Sequence, residues 1–142
     1  MDQIRRHLTS FEGSRFVEAN GDSFAIYDPR GDLPPERQMP WATLVTHDDP
    51  YDSASRLDRD GVFRLNIGLP RDRFAELVEP GREYDVTALD VLLPHPVYGG
   101  QHWVCVLNPV RTWPRARGLL DEAYDFAVRK FANADRRRSA RP

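Results

Sequence analysis

The dipeptide Asn20-Gly21 separates two runs of strand-forming residues, Arg15-Phe16-Val17-Glu18-Ala19 and Asp22-Ser23-Phe24-Ala25-Ile26-Tyr27. A two-residue hairpin turn needs positive φ at both central positions, and Asn-Gly accepts this at little steric cost. The chain is thereby committed early to an antiparallel strand pair.

The remaining elements follow from hydrophobic spacing and from proline and glycine punctuation. Ile4, Leu8 and Phe11 fall on one stripe of a short helix over about residues 2–11. Residues 28–40 contain four prolines and a glycine and must form a loop. Trp41 to Thr46 reads as a third strand, the polar stretch 47–60 as a second long loop, and Val62 to Ile67 as a fourth strand with period-two alternation. Pro70 suits the first turn of a helix over 71–78. A helical turn is expected near 87–92, a fifth strand over 102–107 and a final helix over about 115–132, whose stripe is Leu120, Tyr124, Ala127, Val128 and Phe131. The order α-β-β-β-β-α-β-α predicts an α+β fold, an antiparallel-leaning sheet of about five strands with helices packed on one face.

At 142 residues the chain is the size of one domain that can bury a core unaided. We expect that domain to occupy residues 1–134, followed by a basic, flexible tail over 135–142 that holds Arg136, Arg137, Arg138 and Arg141. The net charge is −2, and without the tail the body carries about −5. Binding to nucleic acid draws on cationic neutralisation of phosphates, so an acidic body disfavours it. The single cysteine, Cys105, excludes an intrachain disulfide, and the N-terminal residues lack a secretory pattern. These features point to the cytoplasm, with no membrane insertion.

The densest group of chemically capable residues lies in the segment 94–103. Two prolines and two glycines there frame His95, Tyr98 and His102. Imidazole and phenol can serve as acid and base near neutral pH, and these three are the catalytic candidates. The plainer reading is a loop-to-strand crossover in which the histidines cap backbone groups. In the fourth strand Arg64 and Asn66 share the face opposite Phe63, Leu65 and Ile67. If helices cover the apolar face, Arg64 and Asn66 become polar anchors on an open sheet. Trp41 and Trp103 would stand beside them as apolar walls of a ligand site. Ordinary solvation of a polar sheet face is the alternative. His47 with Asp48 or Asp49, joined by a second histidine, is the best available metal set. It lacks close ligand spacing, so no metal is assigned, and no cofactor motif is present. Cys105 lies mid-strand between valines and reads as a packing residue rather than a nucleophile.

Two sets of residues carry a resemblance. Pro96-Val97-Tyr98-Gly99, His102-Trp103-Val104 and Leu120 to Val128 resemble the MmcQ/YjbR-like group, which implies a double-wing fold and a DNA-binding label by analogy. Phe24-Ala25-Ile26-Tyr27-Asp28-Pro29, Pro40 to Thr46, Phe63 to Gly68 and Pro94 to Gly99 are similar to a bacterial family described as domain of unknown function 6194, a match that spans nearly the whole chain. That family implies a fold and no chemistry. Three functions therefore stand as expectations. The first is small-molecule binding, with or without catalysis, on the open sheet face and the 94–103 loop. The second is DNA binding, and the third is a homodimeric interaction module.

Overall fold

The computed structural model describes residues 1–140. Its elements are α1 (Asp2–Leu8), β1 (Ser14–Ala19), β2 (Asp22–Tyr27), β3 (Ala42–Val45), β4 (Arg64–Gly68), α2 (Arg71–Leu77), β5 (Leu92–Pro94), β6 (Trp103–Leu107) and α3 (Trp113–Ser139). Single 3-10 turns occupy Pro35–Arg37 and Gly99–Gln101. The strands form one six-stranded sheet in the order β1-β2-β3-β4-β6-β5. Every neighbouring pair is antiparallel. The fold is α+β, as the order of elements predicts.

The β1–β2 turn has φ of 55° at Asn20 and 83° at Gly21, the left-handed pair the dipeptide was expected to supply. Two expectations are corrected. Where a helical turn was expected near residues 87–92, Leu89 bridges to Leu107, Asp90 takes φ of 57°, and the chain enters a sixth strand, β5, at Leu92 along the outer edge of β6. Leu93 is buried there against Cys105 and Leu107, so tertiary burial outweighs the weak local helical spacing. The last helix also runs to Ser139 rather than ending near Ala132. Residues 135–139 of the expected basic tail are therefore helical, and Arg141 lies outside the described residues.

Strand alternation divides the molecule. Ala25, Ala42, Leu44, Leu65, Ile67, Val104 and Val106 form the core with Ile4 and Leu8 of α1 and with Ala116, Leu119, Leu120 and Ala123 of α3. Phe74 and Leu77 of α2 pack against the same cluster, and Arg73 bonds Glu122 of α3 at 2.9 Å. All three helices thus cover one face. Each fully buried leucine or isoleucine in this layer contributes roughly 1.5–3 kcal/mol. The opposite face carries Phe24, Thr43, Val45, Arg64, Asn66 and Cys105, brought side by side by the pairs Phe24–Thr43, Thr43–Asn66, Val45–Arg64 and Asn66–Cys105. The second long loop folds back over part of this face, and its Leu57 is buried in a small cluster with Leu93, Cys105 and Leu107.

Candidate functional site

Arg64 points to the helix-free face yet is fully buried. A buried guanidinium is tolerated only when its donors are satisfied and its charge is paired. Nε donates to Asn66 Oδ1 at 2.7 Å. Nη1 donates to Asp52 Oδ1 at 3.0 Å and to Ser55 Oγ at 2.9 Å. Nη2 meets Asp52 Oδ2, completing a bidentate pair. The loop over 47–60 thus closes on the sheet by delivering Asp52 and Ser55 to a strand arginine. Removing one partner from such a pair costs about 3–5 kcal/mol, because the other charge stays buried. Asp48 and Asp49 shape this loop: Asp48 accepts from Leu57 N at 2.8 Å and Asp49 from Tyr51 N at 2.8 Å.

His95 approaches the same guanidinium, with Nε2 3.1 Å from Arg64 Nη2 and 3.8 Å from Asp52 Oδ2. Its Nδ1 accepts from the backbone N–H groups of Val97 and Tyr98, each at 3.0 Å. Arg64 Nη2 can only donate, so donors face both ring nitrogens and the surroundings disfavour a doubly protonated ring. Burial, reinforced by the positive charge of Arg64 and opposed by Asp52, pulls the imidazole down to about 4, so it is neutral at pH 7. In this state His95 fixes the 95–98 turn and caps the arginine cluster, with neither ring nitrogen left to act on a ligand.

A cleft of about 500 Å³ opens beside this cluster. Its walls include Phe24, Met39, Val45, Tyr51, Tyr98 and Trp103, and its polar lining includes Thr43, Asn66, His95, Asp22, Asp49 and Asp52. Lysine and arginine are absent from that lining. Asn66 donates from Nδ2 to Thr43 Oγ1 at 2.8 Å, which leaves the Thr43 hydroxyl a proton to donate. Trp103 owes its position to Gly68, its cross-strand partner. A Cβ on Gly68 would stand 2.9 Å from Cε2 and Cζ2 of the indole, so only glycine lets the ring lie across β4.

The sequence-derived candidates therefore separate. Asn66, Trp103, His95 and Tyr98 meet at the cleft. Arg64 supports it from below and is sealed from it. Trp41 is buried on the helix side, where Nε1 donates to Ser14 Oγ at 3.0 Å. His102 caps the 3-10 turn with φ of 71°, and its ring stacks edge-on near Phe74 of α2 at 5.7 Å. Neither Trp41 nor His102 lines the cleft. The Cys105 thiol is buried and pushed up to about 12, which suits packing and not nucleophilic attack. Asp52 and Ser55 went unnoticed in the sequence. The available signal was a strand arginine that burial would oblige to find a carboxylate, beside a loop rich in aspartate.

An open antiparallel sheet with helices on one face and a cleft on the other defines the class as an α+β domain of the two-layer type. The chain belongs to a family of unknown function (DUF6194), whose model matches residues 1–138. No curated protein and no solved structure matches the chain. Among the described residues no helix is long and apolar enough to cross a membrane, and no group of three metal-ligating side chains is assembled.

Proposed function

We propose that the protein binds a small aromatic molecule bearing a cationic or hydrogen-bond-donating group in the cleft beside Asn66 and Trp103. One observation carries the reading. The cleft joins aromatic and apolar walls to three aspartates and two neutral anchors, with no basic residue in its lining. Asp52 is already neutralised by Arg64, whereas Asp22 and Asp49 leave the rim acidic. A cation over Trp103 or Tyr98 gains from the ring quadrupole as well as from these carboxylates. The volume lies within the range of small-molecule sites, which combine apolar walls with few fixed polar groups. Arg64 serves this site by holding Asn66 and Asp52 rigidly in place, the supporting role that preorganised sites need.

The alternative of nucleic-acid binding rests on exposed Arg136, Arg137 and Arg138 in the last turn of α3. Of the other arginines that would have to share such a surface, Arg15 pairs with Asp28 and Arg111 lies 3.5 Å from Asp90. This leaves the small-molecule reading as the better supported, in the cytoplasm suggested by the one buried cysteine.

The chain has two methionines, and Met39 borders the cleft, so methyl-labelled methionine gives a simple reporter. A panel of indole- and benzyl-class amines should include members that shift the Met39 methyl saturably. Trp103→Ala should weaken those members by tenfold or more, the loss expected when an aromatic wall is removed. A panel without one saturable shift, or affinity indifferent to Trp103→Ala, would refute the proposal.

A further inference from the structure

We infer that a second cavity, between the 28–40 loop and the outer half of α3, binds a small organic anion with an aromatic body. This cavity has a volume of about 420 Å³. Tyr27, Trp41 and Phe131 supply aromatic lining, while Arg37, Lys130 and Arg137 supply charge, and no aspartate or glutamate lines it. Its character is thus opposite to that of the acidic cleft.

Two independent observations indicate an absent acceptor. Arg37 Nη1 is buried and, among the described residues, has no hydrogen-bond partner. A buried donor left without an acceptor is costly, and a carboxylate or phosphate oxygen would remove that cost with a charge-assisted bond. Asp135, the one carboxylate between Lys130 and Arg137 on α3, is engaged by Arg30 at 2.6 Å and does not line the cavity. The cations also converge from separate elements. Arg37 comes from a 3-10 turn, whereas Lys130 and Arg137 lie seven residues apart on one face of α3. The Lys130 ammonium rests 4.4 Å from the centre of the Phe126 ring and is held down by desolvation. It contributes field and apolar stem, leaving Arg37 and Arg137 as the direct ligands. Guanidinium groups match carboxylate and phosphate in planar, two-point fashion. Inorganic phosphate alone would leave the aromatic lining unused, which favours an aryl carboxylate or aryl phosphate.

The probe is 2-naphthoate, with its methyl ester, which is neutral and carries no donor, as the counterpart, titrated into the full chain while the Met39 methyl is followed; Met39 borders this cavity too. The expected result is saturable naphthoate binding that is at least tenfold tighter than that of the ester. It should weaken at least tenfold in Arg37→Gln/Arg137→Gln and weaken with added salt. Ala134→Leu, on the cavity lining, should block the probe without altering any charge. Circular dichroism and the melting temperature verify that the variants are folded. Equal affinity for acid and ester, or undiminished naphthoate binding in both Arg37→Gln/Arg137→Gln and Ala134→Leu, overturns the inference. Since the cleft is assigned to cationic or neutral ligands, its failure with aromatic amines would leave this result untouched.

Discussion

His95 shows how one side chain can be fixed by bonds that also deprive it of a proton. Val97 and Tyr98 donate to Nδ1, while Arg64 stands 3.1 Å from Nε2. A doubly protonated ring would set N–H against N–H on both sides, beside a buried cation. The folded protein therefore holds His95 at about 4, against an ordinary value of 6.5. On acidification the unfolded chain takes up this proton first, so stability falls as pH drops from about 6.5 towards 4, with a slope of at most about 1.4 kcal/mol per pH unit from this group. Above pH 6.5 the group contributes no slope. His95→Asn is the informative variant, because an amide oxygen can replace Nδ1 as acceptor without titrating. Urea unfolding at intervals from pH 4 to 7 should give a flatter dependence for His95→Asn than for the wild type. Equal slopes would show that His95 is not the group held neutral.

At the scale of elements, the start of α3 depends on a residue from another segment. Thr112, at the helix N-cap, makes no side-chain capping bond of its own. Asp90, in the left-handed region with φ of 57°, holds the turn that leads into the helix from across the chain. Its Oδ1 accepts from Val110 N at 2.8 Å, from Thr112 N at 3.1 Å and from Thr112 Oγ1 at 2.6 Å, and its Oδ2 accepts from Arg111 N at 2.9 Å. The Thr112 hydroxyl and these amides hold its carboxyl well below the usual carboxylate range. A negative charge at this end also complements the helix dipole. Asp90→Ala should lower the melting temperature clearly at pH 7, and Asp90→Asn, which keeps an acceptor but loses the charge, by less. Both differences from wild type should shrink as pH falls below about 4, since the contribution of a depressed carboxylate is lost on protonation. An Asp90→Ala melting temperature equal to that of the wild type would remove Asp90 from this role. The hairpin at Asn20-Gly21, β3, β4 and α2 were legible because each has a local signature. The β5 strand and the Asp90 contacts were not, because one is fixed by pairing with β6 and the other by a contact 22 residues away in sequence.

For the whole molecule, the division into a helix-covered face and a cleft face was readable from β4, where apolar Leu65 and Ile67 alternate with Arg64 and Asn66. What alternation does not reveal is that the polar face is partly closed by a loop, since that depends on Asp52 and Ser55 reaching Arg64 across the sheet. The same limitation applies to α3. Its buried residues, Ala116, Leu119, Leu120 and Ala123, all lie in the first half, so hydrophobic spacing marks where the helix packs and not where it ends. The outer half continues past the sheet, tied to the 28–40 loop by the Arg30–Asp135 ion pair and by Arg30 lying 5.3 Å from the centre of the Phe131 ring. An exposed ion pair of this kind adds little stability. The two halves of α3 should therefore be separable. A chain ending at Ala132 keeps the whole buried stripe and should still unfold in one cooperative transition, with the amine-binding cleft intact. It loses Arg137 and should lose naphthoate binding with it. Circular dichroism melts and the two titrations, run in parallel on the shortened chain, test this directly. Loss of cooperative unfolding would show that the outer half of α3 is part of the folding core, against the burial pattern that separates them.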